Sequence, residues 1–418
     1  MGKSRWFHSV AIACFSGLVA TSAWGFDSTS DSSDGALVLT TPGVVEFDPS
    51  TFVPPLDPDG DNIYHFTTIT IAAGVTVRLS GDKLNGPVYW LASGAVQIDG
   101  EIDLNGEDGP GDPSFPEGLP AIAGAGGFSG GAGGTAVSIG QAGRGPGGGL
   151  NVEGPAQSGG GGGHLTSGVS SPFGNGGAPY GSDFLVPLVG GSGGAGGDFS
   201  VSSGGGGGAG GGALLLASSV SVVIEGAIRT NGGRGGDGRF GGGGGSGGSI
   251  RVASPIVSGA GILRATGGGR GLGGISAWNG GIGSEGRIRL EAQQQLYTGD
   301  SQPDHLWRVP YSPHLPANPA PTVRVATIDG VAVAQPSTGS FVVPDVTIAT
   351  ADPVAVVLEG RFIPLGTTVE VTFFSDDGAT QVMTSSPLAG TEALSSATLS
   401  LTIPSGFTRG FARATWTP

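Results

Sequence analysis

Three carboxylates, Asp99, Glu101 and Asp103, occupy alternate positions of Gln97-Ile98-Asp99-Gly100-Glu101-Ile102-Asp103-Leu104-Asn105. Alternate side chains of an extended chain share a face. With Ile98, Ile102 and Leu104 turned inward, the three acids line the outer face, successive members roughly 7 Å apart. Two carboxylates at such a spacing suit glycoside hydrolysis, and three suit a hard cation such as Ca²⁺. A solvated acidic face that discourages edge pairing needs neither. No basic residue is visible in this stretch of sequence to serve as a lyase base. A second acidic run, Asp57-Pro58-Asp59-Gly60-Asp61-Asn62, spaces Asp57, Asp59 and Asp61 as a calcium loop does, but it lacks the distal bidentate glutamate of an EF-hand. The same run also reads as a plain structural turn. Calcium is thus the one candidate cofactor, and no residue is assigned a catalytic role.

The remaining motifs carry less chemistry. Gly-x-Ser-x-Gly occurs at residues 190–194 and 244–248, but no helix follows to build a nucleophile elbow. Residues 232–237 match the start of a calcium-binding nonapeptide once only, with Arg239 where a large aliphatic residue belongs. His65, His164, His305 and His314 are too far apart for ligand spacing. Trp90, Trp278, Trp307 and Trp416 could build a sugar-stacking platform, although their dispersal favours packing.

The elements that position these residues are short strands. Ile69 and Ile71 alternate with threonine, and Val75, Val77 and Leu79 follow a turn. Then come residues 88–91, 96–98 and 102–104. A repeat organises them. Val88-Tyr89-Trp90-Leu91-Ala92-Ser93 aligns with residues 213–218, 249–254 and, partly, 287–292. Glycines bracket a second strand at one spacing, Gly100 to Gly106, Gly226 to Gly232 and Gly261 to Gly267, with Ile102, Ile228 and Leu263 in the same slot. The alignment places Tyr89/Leu91, Leu214/Leu216, Ile250/Val252 and Ile288/Leu290 in stacked inward columns, and Asp103 in a column with Arg229 and Arg264.

Between the repeat copies lie glycine-rich stretches. Glycine fills 87 of 418 positions. In residues 190–197 it recurs as GGx triplets, and Gly124, Gly127, Gly130 and Gly133 keep the same step. A period of three belongs to neither helix nor strand but to the extended, left-handed polyproline-II type of chain, where every third residue lies on one edge. Apolar islands such as Phe173 and Phe184-Leu185-Val186 interrupt these stretches, as pegs would and as a flexible linker would not.

Composition bounds the rest. Residues 1–25 read as a secretory signal peptide: Lys3 and Arg5 precede a short apolar stretch, and Ala23 and Gly25 suit a cut before Phe26. A lipoprotein cut before Cys14 would leave too little apolar length ahead of it. Cys14 is the only cysteine, so the mature chain would hold no disulfide, thiolate site or cysteine nucleophile. Removing the leader leaves 16 basic residues against 33 acidic ones, a balance that disfavours nucleic acid and anionic membranes. No later segment is apolar enough to span a bilayer. The expected division is the signal peptide (1–25), an N-terminal extension (26–62), a glycine-rich β-solenoid-like domain (63–301), a proline-rich linker (302–322) and an immunoglobulin-like β-sandwich (323–418). The expected fold class is therefore all-β: a solenoid-like or β-helix-like core with polyglycine-II-type insertions, followed by that sandwich.

The GGx runs at 190–197, 204–212 and 241–248 resemble polyglycine-II lattice proteins, among them the glycine-rich domain of the anaplastic lymphoma kinase receptor, phage tail-tip adhesins and the snow flea antifreeze protein. That likeness covers about residues 124–283 and implies a packing mode alone. The segments SDGALVLTTPG, LDPDGDNIYHFTTITI, KLNGPVYWLASGAV and IDGEIDLNG, with the ending GFTRGFARATW, resemble a family of exported bacterial glycine-rich proteins of unassigned activity. This resemblance implies secretion and a surface role and supplies no catalytic residue. The expected function is a secreted or cell-surface structural or adhesive protein without catalysis, its partners surface polymers or other copies of itself. The alternatives are a carbohydrate-active enzyme or polysaccharide-binding protein using Asp99, Glu101 and Asp103, and an ice-binding protein.

Overall fold

A computed structural model describes residues 26–416 except 58–59, 85, 112–119, 136–138, 152–156, 200–202, 310–314, 317–320, 334–343, 351, 376–379, 404–405 and 407. The leader (1–25) and Asp59 lie outside the described residues.

Among the described residues there is no α-helix, in keeping with a chain poor in helical periodicity and rich in glycine. The first strands are β1 (Gly35–Leu39), β2 (Gly43–Glu46), β3 (Ile63–Ile71), β4 (Val75–Arg78), β5 (Val88–Ala92), β6 (Val96–Ile98) and β7 (Glu101–Asp103). After a long glycine-rich segment come β8 (Ala213–Ser218), β9 (Val222–Ile224), β10 (Ala227–Arg229), β11 (Ser249–Gly259), β12 (Ile262–Arg264), β13 (Arg287–Tyr297), β14 (Asp300–Gln302) and β15 (Leu306–Arg308). The C-terminal unit holds β16 (Thr322–Ile328), β17 (Val331–Ala332), β18 (Val354–Arg361), β19 (Val369–Ser375), β20 (Thr380–Thr384), β21 (Ala389–Thr391), β22 (Leu394–Leu401) and β23 (Thr408–Ala414).

All-β holds, but the expected β-helix-like solenoid followed by an immunoglobulin-like sandwich does not. The structure instead contains a closed six-strand parallel barrel and further parallel sheets. Closure depends on two long strands. β3 pairs with β5 along its first half and with β6 along its second. β11 likewise pairs with β8 and then with β9. With β5 on β8 and β6 on β9, six strands form a ring of parallel pairings. The shorter strands β14, β12, β10, β7, β4 and β2 form a separate six-stranded sheet, also parallel. Single-strand signals were visible in the sequence; which strands were long enough to belong to two neighbourhoods was not.

One apolar core joins these sheets. Trp90 packs against Phe47 and Phe66, with ring centroids 5.3 and 6.1 Å apart, and Phe47 meets Tyr64 edge-on at 5.1 Å. Ile102, Ile228 and Leu263 do pair in one register row. Leu214/Leu216, Ile250/Val252 and Ile288/Leu290 do form inward columns. The first copy is displaced. Val88, not Tyr89, pairs across from Leu214. Because strand side chains alternate, this one-residue slip exchanges the faces. Val88, Trp90 and Ala92 enter the core, while Tyr89 and Leu91 face a second apolar cluster on the outer side. Phe26, Leu185 and Leu188 cover that cluster.

The C-terminal unit has its own core, shared by a five-stranded and a three-stranded antiparallel sheet. Residues 344–350 belong to no strand of either sheet. Residues 306–308, placed in the proline-rich linker, pair with β13 as β15, and Trp307 packs on the first core.

The glycine-rich segments form a three-fold hydrogen-bonded lattice. The N–H groups of Gly191, Gly194 and Gly197 donate to the carbonyls of Gly211, Gly208 and Gly205 at 2.7–2.9 Å. Those of Gly193 and Gly196 turn to Arg144 and Gln141, and those of Ala195 and Asp198 to Gly160 and Gln157. Residues 204–212 repeat the pattern toward three other neighbours: 134/131/128, 240/243/246 and 110/107/104, at 2.8–3.0 Å. Donors and acceptors both advance three residues at a time, so each inner segment bonds to more neighbours than a strand, with two edges, can reach. Glycine is required by the spacing. A Cβ on Gly207 would collide with the Gly194 carbonyl, and one on Gly194 with the Gly243 carbonyl. Segments leaving β7, β10 and β12 run outward into this lattice, and the segments returning from it enter β8, β11 and β13.

Gly207→Ala should therefore lower stability by about 3 kcal/mol, the upper end of ordinary overpacking, because the clash is with backbone. Gly111→Ala, whose Cβ would come no closer than 3.4 Å to Asp237 O, should change it little. Urea denaturation of the two variants side by side checks this; equal midpoints would contradict the lattice.

Candidate functional site

The acidic triplet does not converge. Glu101 and Asp103 lie on β7, in the six-stranded parallel sheet, and their outward row is charge-matched along the stack. Asp103 stands between Arg78 and Arg229 in register, and Arg229 is followed by Arg264. Glu101 Oε1 accepts from Arg229 Nε at 2.9 Å, both side chains about one-third exposed. Arg264 pairs with Asp300, and Arg78 with Glu107 at 3.1 Å. Asp103 caps the Asn105 N–H at 2.9 Å, and Asp99 accepts from the Gln97 amide. Exposed pairs of this kind contribute about 0–1 kcal/mol each, so their effect is on register more than on stability. Among the described residues no three His, Cys, Asp or Glu side chains are grouped to hold a metal ion.

The second acidic run is more closely knit. Asp57 and Asn62 both have left-handed φ, 51° and 58°, which folds the loop back on itself. The two oxygens of Asp57 accept the N–H groups of Asp61 (3.0 Å) and Asn62 (2.8 Å), while Asp61 Oδ1 caps the Ile63 N–H at 2.9 Å. The Asp57 and Asp61 carboxyls also hydrogen-bond to each other. Burial, then the charge of Asp61, pushes Asp57 up to about 7. The pair thus shares a proton, and through the Asp61 cap on Ile63 it anchors the loop to the start of β3. Just beyond, Tyr64 Oη and Trp90 Nε1 are buried with no hydrogen-bond partner among the described residues.

Both Gly-x-Ser-x-Gly serines are lattice members. The Ser192 N–H donates to Ser246 Oγ and the Ser246 N–H to Ser192 O, each at 2.8 Å, and both residues are buried. Asp237, from the single nonapeptide match, accepts the Leu272 N–H and pairs with Arg234. The histidines stay apart. His164 is buried, bonded through Nδ1 to Gly247 O at 2.7 Å and stacked on Tyr180; burial, then Arg287, pulls it down to about 4, so it is neutral. His65 Nδ1 lies 3.7 Å from Asp31, His305 bonds Ser301, and His314 lies outside the described residues. Trp90, Trp278 and Trp307 sit in different surroundings and form no platform.

Two clusters escaped the sequence reading. Glu291, 1% exposed, accepts from Arg251 Nε (2.9 Å) and Arg289 Nε (2.6 Å) on the outer side of β11 and β13. The alternation Arg287-Ile288-Arg289-Leu290-Glu291 held the signal, since one face was apolar and the other wholly charged. At the far end of the lattice, Arg239 lies 4.2 Å from the Trp278 ring centroid. No periodicity joins these two residues. Compared with known proteins, the chain matches no family model, no curated protein and no solved structure.

The shared proton has a measurable consequence. An unfolded aspartate releases its proton near 3.8, whereas folded Asp57 keeps it to about 7. The folded state therefore holds the extra proton in that window, and this site's contribution to stability falls as pH rises from about 4 to 7, then levels off. Asp61→Asn keeps the Ile63 cap and offers Asp57 an N–H donor, so it should flatten that slope. Melting curves of both forms from pH 4 to 8 test it. An unchanged slope, or a calcium-dependent melting shift at pH 8 that Asp61→Asn abolishes, would replace the shared proton with another arrangement.

Proposed function

We propose that the protein is a secreted or cell-surface structural and adhesive element that performs no catalysis. The observation that carries this reading is the lattice. Its backbone groups are consumed by neighbours on several sides, which makes a stiff projection built from segments that would be disordered alone. Supporting it, the chain is tied down from Phe26 onward. The Phe26 ring is buried, Ser28 Oγ donates to Ala92 O at 2.7 Å, and the Ser28 N–H donates to Ser219 Oγ. A mature protein beginning at Phe26 would be anchored at once, which fits export and cleavage of residues 1–25. No helix among the described residues is long and apolar enough to cross a membrane. Surface polymers, or further copies of the chain, are the partners that suit such a projection.

The enzymatic alternative needs Asp99, Glu101 and Asp103 to act together, and they are engaged separately along an outward face. Replacing them as Asp99→Asn, Glu101→Gln and Asp103→Asn should change nothing in an assay of polysaccharide chain cleavage, with wild type and variant both at background. Cell fractionation with surface labelling should find the protein outside the cytoplasm. Cleavage by the wild type that the triple variant loses, or a cytoplasmic protein, would end this reading.

A further inference from the structure

The lattice has two ends. One feeds β8, β11 and β13. At the other, the outgoing segments turn back, among them residues 237–240 and 272–278. Arg234, Arg239 and Arg270 are on this outer end, in a chain where acids outnumber bases 33 to 18. Arg234 is occupied by Asp237. Arg239 Cζ lies over the Trp278 ring, 4.2 Å from its centroid, and Trp278 rests on Phe240 with ring centroids 5.1 Å apart. Arg239 Nε is buried and has no hydrogen-bond partner among the described residues. Arg270 is exposed and forms no ion pair among them. The loop facing Arg239 is fixed: Gly274 N–H donates to Arg239 O (3.1 Å), Trp278 N–H to Ile275 O (2.9 Å), Leu272 N–H to Asp237 Oδ1 (2.7 Å) and Gly273 N–H to Asn279 Oδ1 (2.8 Å). Gly274 puts no side chain beside the guanidinium, and Leu272 and Ile275 are each about half exposed (52% and 51%).

We propose that this outer end binds a carboxylated sugar, Arg239 receiving the carboxylate and Leu272 and Ile275 the apolar ring face. A guanidinium stacked on an indole is already ordered, and its planar fork matches a carboxylate. Preorganisation lowers the cost of binding. An acidic sugar displays what such a site discriminates, an isolated negative group beside C–H surface. The chain's overall negative charge is screened beyond about 8 Å at physiological salt, and the carboxylates nearby, Asp108 and Asp237, are both engaged by Arg234. A nucleic acid would require an extended basic track, which three arginines do not supply.

The proposal rests on the adhesive reading and names its ligand class. Titration calorimetry of the mature protein with oligogalacturonate, in about 0.15 M salt, tests it against neutral dextran and single-stranded DNA. Oligogalacturonate should bind and dextran should not. Arg239→Ala should weaken binding about ten-fold, the scale of a charge-assisted hydrogen bond, without moving the melting temperature. Arg239→Lys, which loses the planar stack, should weaken it as well. No wild-type binding, equal binding by Arg239→Ala, or DNA and sugar bound alike would each overturn the site. Surface labelling of the same variants separates the two ideas. A surface-exposed wild type that ignores the sugar sinks this proposal alone, whereas a cytoplasmic protein that binds it sinks the adhesive reading.

Discussion

Backbone amides bonded to neighbours on several sides, with no side chain between them, are the constraint on which the rest of the structure depends. Fixing one residue's backbone costs about 1–2 kcal/mol, and glycine loses more conformational freedom on ordering than any other residue. A net hydrogen bond returns about 0.5–1.5 kcal/mol. That return does not exceed the cost, and an isolated GGx segment has no neighbours to bond to, so it stays disordered and order must come from elsewhere. Here it comes from the parallel sheets. β7 and β8, β10 and β11, and β12 and β13 hold the ends of the glycine segments at fixed positions, which removes much of the entropy of bringing them together.

This dependence runs both ways. Residues 183–189 leave the lattice and cover the outer side of β8, β11 and β13. There Leu185 and Leu188 bury apolar surface, and the Asp183 carbonyl accepts from Arg289. Beneath them Glu291 neutralises two buried arginines, an arrangement in which losing one partner would strand the others without water. The lattice is thus pinned to the core by side chains as well as by chain continuity.

Much of this was legible in the residues. The three-residue glycine step points to the lattice by itself, because neither helix nor strand has that period. The glycine brackets around Ile102, Ile228 and Leu263 gave their register directly. Other features were not readable. The shared Ala-Ser of residues 92–93 and 217–218 suggested an alignment one residue out, since sequence likeness does not sense that Trp90 needs the interior beside Phe47 and Phe66. The barrel closure was hidden in the lengths of β3 and β11, which no turn signal marks. The acidic residues were visible as types, yet their roles depended on partners that residue type does not reveal: Arg229, distant in sequence, for Glu101, and a shared proton for Asp57. Arg239 and Trp278 meet because two turns far apart in sequence are bonded together, Gly238 N–H to Leu272 O and Gly274 N–H to Arg239 O.

Backbone amide hydrogen exchange resolved at individual glycines tests the lattice most directly. The amides of Gly194, Gly197, Gly205, Gly208 and Gly211 should exchange as slowly as those of β8 and β11, since they belong to the same cooperative unit. Exchange at random-coil rates in these glycines, with the strands still protected, would show that the segments between the sheets are not ordered and would refute the lattice.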